Sequence, residues 1–253
     1  MSVWSVAAAQ SGSRPGDIDW NISRHLEFIH QAAEHHVNVL IFPELSLTGY
    51  ELTLAQQLAM HINDARLEPF AEAASRHQMT IVIGLPLLDD TRPLLCALAV
   101  LPDATRLAYG KRNLFGDENL FFQPGTGVPL FGYRQHHIAL AVCADIRVEE
   151  YARDAAERGA HLYATGVLSC EKSYEQVCYL LARWSAEYKM AVLMANHALP
   201  TGGVNSVVKS AVWNNAGQQI VVGSSGKEEL VIARRQANNW QGEVHAFTLA
   251  GQK

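Results

Sequence analysis

Strand-length, nearly uninterrupted apolar runs recur along the chain: "VWSVAAAQ" at 3–10, "VNVLIFPEL" at 37–45, "MTIVIGLPLL" at 79–88, "HIALAVCA" at 137–144 and "MAVLMAN" at 190–196. A strand that faces solvent on one side alternates apolar and polar residues, so continuous runs of this kind belong to strands buried on both faces. Between them lie segments of helical period. Residues 17–36 place Ile22, His25 with Leu26, Ile29, and Ala32 with Ala33 at helical spacing, with Asp17 or Asp19 as N-cap; 64–78, 148–159 and 173–189 read the same way. Hairpins are expected around "PDAT" (102–105) and "NNAG" (214–217), with a late strand over 227–235. Residues 113–135, rich in Gly, Pro and aromatics, read as a structured loop. Strands that alternate with helices, then give way to hairpins, predict mixed sheets with helices outside them, a layered α/β fold. No change of composition suggests a linker, so residues 1–253 are expected to form a single domain.

Composition narrows the function. Apolar residues make up 49% and charged residues 18%, enough for a large core. The net charge is −5, and basic residues cluster no further than "KR" at 111–112 and "RR" at 234–235, which argues against a nucleic-acid or anionic-membrane partner. No apolar run reaches the roughly 18 residues that span a bilayer. The cysteines at 96, 143, 170 and 178 have no C-x-x-C spacing, so free thiols and a cytoplasmic location are expected.

Three strand ends carry chemistry. Cys143 closes "IALAVCA" just before a helix, where backbone N–H groups favour a thiolate and a developing oxyanion. Taken alone it reads more readily as a small core residue. Glu44 follows "VLIFP", near apolar surface that raises a carboxylate's pKa toward that of a base; alone it reads as a solvated loop residue. Lys111 follows "LAYG"; in a pocket its ammonium would balance an oxyanion, and alone it is a surface lysine. A nucleophile, a base and a cation at the ends of open-sheet strands are what acyl transfer requires.

In their order, "FPELSLTGY", "GKRNLFGDENLFFQPG" and "VCADIRVEEYARDAAERGA" resemble the three signature segments of the nitrilase superfamily of carbon–nitrogen hydrolases. The resemblance continues through "LLARWSAEYKMAVLMAN" and covers residues from about 3 to about 234. It implies a four-layer αββα sandwich of two mixed sheets. It implies Glu44 as general base, Lys111 as oxyanion-stabilising cation, Cys143 as nucleophile and Glu118 as a second glutamate that positions Lys111 or the substrate. It also implies that the backbone N–H of Ala144 completes an oxyanion hole. The expected activity is hydrolysis of a small, non-peptide carboxamide through a cysteine thioester, with nitriles and N-carbamoyl amines as alternative substrates. The implied partners are the small amide and a second copy of the chain, as a homodimer or higher oligomer, with no metal or organic cofactor.

Departures from the family pattern lie near the acyl pocket: Ala144 where an aromatic is common, "RVEE" for R-F-P-E, and "ATGVLSCEKS" in place of a Pro/Trp-containing stretch. Arg147 has the planar fork that suits a substrate carboxylate, against a structural role at the same position. Phe115, Phe121 and Phe122 suit a pocket wall or the core. Cys170 and Cys178 lack the local partners a zinc site needs, and the pairs His35–His36 and His136–His137 diverge. A competing mechanism takes His197 of "MANHALP" as the base of a Cys–His–acid hydrolase, and a non-catalytic binding scaffold is a third reading.

Overall fold

The computed structural model describes residues 3–127, 130–237 and 239–248. The first half runs β1 (Trp4–Gln10), α1 (Ile18–Glu34), β2 (Val39–Ile41), α2 (Ala55–Leu58), α3 (Glu68–His77), β3 (Thr80–Leu87), β4 (Leu94–Val100) and β5 (Arg106–Gly110). The second half runs α4 (Glu118–Phe121), β6 (Phe131–Tyr133), β7 (His136–Val142), α5 (Glu149–Glu157), β8 (Leu162–Val167), α6 (Glu171–Tyr188), β9 (Ala191–Asn196), β10 (Ala211–Trp213), β11 (Gln219–Val222), β12 (Glu229–Gln236) and β13 (Asn239–Ala246).

These strands form two mixed sheets. One has the order β13-β12-β1-β2-β3-β4-β5, the other β11-β10-β9-β8-β7-β6. The parallel strands are β1-β2-β3 and β7-β8-β9, each triplet built from strand–helix–strand crossovers. Their sequences are largely apolar, and apart from His136 and His137 at the start of β7 they are buried on both faces. A central core containing Val6, Ile41, Val82, Leu140, Ala164 and Leu193 lies between the sheets. A second core packs α1 and α3 on the first sheet, and a third packs α5 and α6 on the second. The four layers follow: helices, sheet, sheet, helices.

Local boundaries shift where tertiary structure overrides the pattern. The apolar strand expected over 37–45 with Pro43 as its stop keeps ladder pairing only at Val39–Ile41, since Pro43 cannot donate and the chain turns away. Asp17 caps α1, accepting from the Trp20 N–H at 3.2 Å. The 113–135 segment contains α4 and β6; its Val128 and Pro129 lie outside the described residues. Residues 204–214 supply only the three-residue β10. The edge strand β13 was not expected from the sequence: "NWQGEVHA" alternates exposed and half-exposed positions and has no apolar run. No helix among the described residues is long and apolar enough to cross a membrane.

Candidate active site

The parallel triplets of the two sheets stack so that the C-terminal ends of β2, β7 and β8 meet. Glu44 stands just past β2, in a turn that packs against both sheets. Leu45 holds a left-handed φ of +50°. A Cβ built on Gly84 of β3 would lie 2.4 Å from Leu45 N and Pro43 O, and one on Gly166 of β8 would lie 2.8 Å from Glu44 N. Two glycines, one from each sheet, thus let backbone close directly on the turn that carries the carboxylate.

Lys111 follows β5 directly and is fully buried. Its backbone is tied on both sides, to Leu95 O at 2.8 Å and from Gly125 N at 2.7 Å. Its Nζ donates to Glu44 Oε1 at 2.6 Å and to Glu118 Oε1 at 2.7 Å. Glu118, at the first position of α4, is buried too; Tyr50 OH donates to its Oε1 at 2.6 Å, and the Phe115 N–H to its Oε2 at 2.7 Å. Lys111 is therefore held between two buried carboxylates, one of which is itself fixed by two neutral donors.

Cys143 opens a 3-10 turn, Cys143–Arg147, at the end of β7, and its φ is +44°. A non-glycine residue in this region costs of order 1–3 kcal/mol and needs surrounding structure to hold it. Asp145 supplies much of that hold. It is fully buried; its Oδ2 accepts from Val142 N at 2.9 Å and Tyr109 OH at 3.0 Å, and its Oδ1 from Arg112 N at 3.1 Å and Asn113 N at 2.7 Å. One carboxylate thus joins the cysteine turn to the segment that carries Lys111. The Cys143 N–H donates to Thr165 Oγ1 at 3.2 Å, and Asn113 Nδ2 donates to Ala144 O at 2.9 Å. The Ala144 N–H lies at the start of the turn, where N–H groups have no partner within the helix.

Glu44, Glu118, Cys143, Ala144 and Arg147 all line one cavity of about 500 Å³. The electrostatics follow from burial. Desolvation raises Glu44 to about 7, opposed by the Lys111 charge and reinforced by Glu118; hydrogen bonds from Lys111 and the Cys143 thiol also stabilise the carboxylate. Desolvation and the Glu44 charge push the Cys143 thiol up to about 12, against Lys111 and a hydrogen bond from the Leu168 backbone. Burial alone would lower Lys111, but Glu44, Cys143 and Glu118 outweigh it and hold its pKa above the ordinary value. The thiol therefore keeps its proton at rest, with a carboxylate poised near neutrality beside it.

Arg147 is exposed at the cavity wall, 5.2 Å over the Phe115 ring, with no carboxylate partner among the described residues. Of the three phenylalanines, Phe115 lines the cavity, Phe122 is buried in the central core and Phe121 packs against it. All four cysteines are free thiols. Among the described residues no group of three or more His, Cys, Asp and Glu is arranged to hold a metal ion.

The placement of His197 does not support the competing mechanism that takes it as the base. It is fully buried, and its Nε2 lies 2.7 Å from the backbone oxygen of Glu44, so it serves the carboxylate's main chain and not the thiol. Burial holds its pKa down at about 4 despite that bond, which leaves the imidazole neutral. Asp145 and Tyr50 are the site residues that sequence reasoning missed. An acid two residues after the nucleophile, inside an otherwise apolar strand end, was the available signal for Asp145; Tyr50 offered none.

The family model described as carbon–nitrogen hydrolase matches residues 5–242. An (R)-stereoselective amidase from Pseudomonas sp. is 28% identical over 159 residues, 62% of this chain and 57% of that protein. A glutamine-dependent NAD(+) synthetase from Acinetobacter baylyi is 29% identical over 153 residues, 58% of this chain and 28% of that enzyme. The matched stretch thus spans little more than half of one curated relative and under a third of the other. Among solved structures, a mutant amidase from Nesterenkonia sp. AN1, showing the result of Michael addition of acrylamide at the active site cysteine, superposes with a TM-score of 0.82. It is 25% identical, and the match covers 90% of this chain and 92% of that one.

Proposed function

The chain belongs to the carbon–nitrogen hydrolase family, and from that premise we propose that it is a thiol amidase which hydrolyses a small, linear carboxamide through a thioester on Cys143. The observation that carries this reading is the buried contact set: Lys111 Nζ at 2.6 Å from Glu44 and 2.7 Å from Glu118, two carboxylates that line the same cavity as Cys143.

In this reading the carboxamide carbon settles over the Cys143 sulfur. Glu44 takes the thiol proton as the C–S bond forms, so the thiolate never stands free in a buried site where it would be costly. Lys111 Nζ and the Ala144 N–H receive the oxyanion. The tetrahedral intermediate then collapses, the C–N bond breaks, and Glu44 returns its proton to the leaving nitrogen, so ammonia departs and an acyl thioester remains. Water enters, gives a proton to Glu44 and attacks the thioester; collapse releases the acid and restores the thiol. Glu118 keeps Lys111 oriented and charged throughout. The Arg147 guanidinium, on the same wall and without a carboxylate partner among the described residues, is suited to a carboxylate at the far end of the substrate.

An ammonia-release screen tests the reading, over short neutral amides, monoamides of dicarboxylates, N-carbamoyl amines and nitriles, with Cys143→Ala as the blank. Release of ammonia from an amide, lost in the blank, supports it. Turnover of nitriles or carbamoyl amines alone replaces amide with those substrates at the same residues. Turnover that persists in Cys143→Ala rejects it.

A further inference from the structure

Glu44 sits in a turn whose backbone is unusual in two respects. Its carbonyl is reached not by a neighbouring strand but by the side chain of His197, which comes from the end of β9 in the opposite sheet. The next residue, Leu45, is held at φ +50° without being glycine. Both are costs that a turn carrying a buried carboxylate bears only if something holds it.

Two imidazoles do so from opposite sides. From the outer helix layer, His25 of α1 stacks on the Phe42 ring at 4.1 Å between centroids. Its Nδ1 lies 2.7 Å from Asn21 O and its Nε2 2.9 Å from Ser46 Oγ, which in turn accepts from the Gly84 N–H at 3.2 Å. The Asn21 carbonyl can only accept, so Nδ1 carries the proton and Nε2 accepts from Ser46. From the second sheet, His197 can only donate to the Glu44 carbonyl, so Nε2 carries the proton. Its Nδ1 is buried with no hydrogen-bond partner among the described residues. Both rings are buried and neutral. His25 and His197 thus grip the segment Phe42–Ser46 at the ring of Phe42, the carbonyl of Glu44 and the hydroxyl of Ser46.

We propose that His197 is the positioning residue for Glu44: its Nε2–H holds the Glu44 carbonyl, with His25 and Ser46 bracing the same turn, and so keeps the carboxylate dry and aimed at Lys111 and Cys143. Removing the donor leaves a buried carbonyl unsatisfied, and a carbonyl in that state rotates toward any partner, water included. Rotation about the Glu44 peptide moves its Cα and withdraws the carboxylate from the thiol. Entry of water relieves the desolvation that is the largest cause of Glu44's raised pKa. The inference rests on the reading of Glu44 as base, and it makes a specific claim about what a donor at position 197 does to that base.

The test compares His197→Leu, which keeps apolar volume without a donor, with His197→Gln, whose amide N–H can still reach a carbonyl. Glu44→Gln serves as the control for the base itself. With the best substrate from the amide screen, the leucine variant is expected to lose about tenfold to a hundredfold in kcat, with KM changed less than about threefold, the scale expected for a misplaced catalytic group. The acidic limb of its pH–rate profile should move to lower pH as Glu44 is hydrated. The glutamine variant should recover most of the rate and the wild-type limb. Equal loss in the two variants, or a leucine variant that keeps both the wild-type kcat and the wild-type limb, overturns the proposal. If the leucine variant does not fold, the glutamine variant decides: wild-type limb and near-wild-type kcat support the proposal, and a hundredfold loss overturns it. Full activity in Glu44→Gln would instead overturn the base assignment, and this inference with it. Loss of activity in Glu44→Gln with no effect of His197→Leu sinks only the positioning role.

Discussion

A buried ammonium between two carboxylates leaves a net charge of −1, and the neutral Cys143 thiol, which keeps its proton at rest, eases it only by a hydrogen bond to Glu44. Lys111 is the only group offsetting two buried anions in the set it joins with Glu44 and Glu118. Lys111→Met should therefore abolish turnover and destabilise the fold by about 3–5 kcal/mol, the usual cost of breaking a buried charge pair from one side, as read by urea unfolding. An unchanged midpoint would mean that the two carboxylates do not depend on the ammonium. The acidic limb of kcat/KM reports the free-enzyme base. With Glu44 raised to about 7, activity should climb as pH rises through neutrality and not through 4.5. Glu118's charge is one cause of that elevation, so Glu118→Gln should move the limb to lower pH while lowering kcat; a limb that stays put contradicts the coupling. Glu44, Lys111 and Cys143 were legible as residues because each closes an apolar strand, and their assembly was legible only through the resemblance, since spacing along the chain says nothing about which strand ends meet. The competing reading of His197 as a base stayed open in the sequence because an imidazole near an Asn at a strand end has the same signature whether it faces a thiol or a carbonyl.

At the scale of elements, the site depends on how closely the two sheets approach at the β2 turn. Gly84 from the same sheet and Gly166 from the opposite one both close on this turn, and a methyl group at either would fall within 3 Å of the Glu44 segment's main chain. Because those neighbours are backbone, they cannot swing aside. Gly166→Ala should destabilise by about 1–3 kcal/mol, as overpacking does, and should depress kcat more than that loss of stability alone explains, because it displaces the base. A Gly166→Ala protein that is less stable but fully active would separate the contact from catalysis. The apolar parallel strands were legible for the same reason that the sheets can pack here: both faces are covered, so no polar alternation intrudes. β13 was not legible, because as an edge strand it needs no apolar face.

At the scale of the whole molecule, helices, sheet, sheet and helices enclose two neutral histidines deep in the assembly. His25 and His197 have pKa values lowered from 6.5 to about 4, chiefly by burial. The unfolded chain binds protons at these positions below pH 6.5, while the folded chain does so only near pH 4. The associated stability is therefore fully present above about pH 6.5 and is lost as the pH falls toward 4. Glu44, with its pKa raised, acts in the opposite sense between 4.5 and about 7. Comparing wild type with His197→Gln cancels that term. Urea unfolding from pH 7 to pH 4.5 should show wild type losing more stability than the variant, and parallel curves would contradict the burial of a neutral imidazole. The layered α/β class followed from strand and helix periodicity, whereas the face-to-face stacking of two sheets came from the resemblance, because no pattern within a strand records what lies across from it. The central claim is that substrate carbon becomes bonded to the Cys143 sulfur, and mass spectrometry of acid-quenched turnover tests it most directly. The peptide containing Cys143 should carry the substrate's mass less ammonia, labile to hydroxylamine and absent in Cys143→Ala. Ammonia release with that peptide unmodified, or with the acyl group on another residue, would contradict the account.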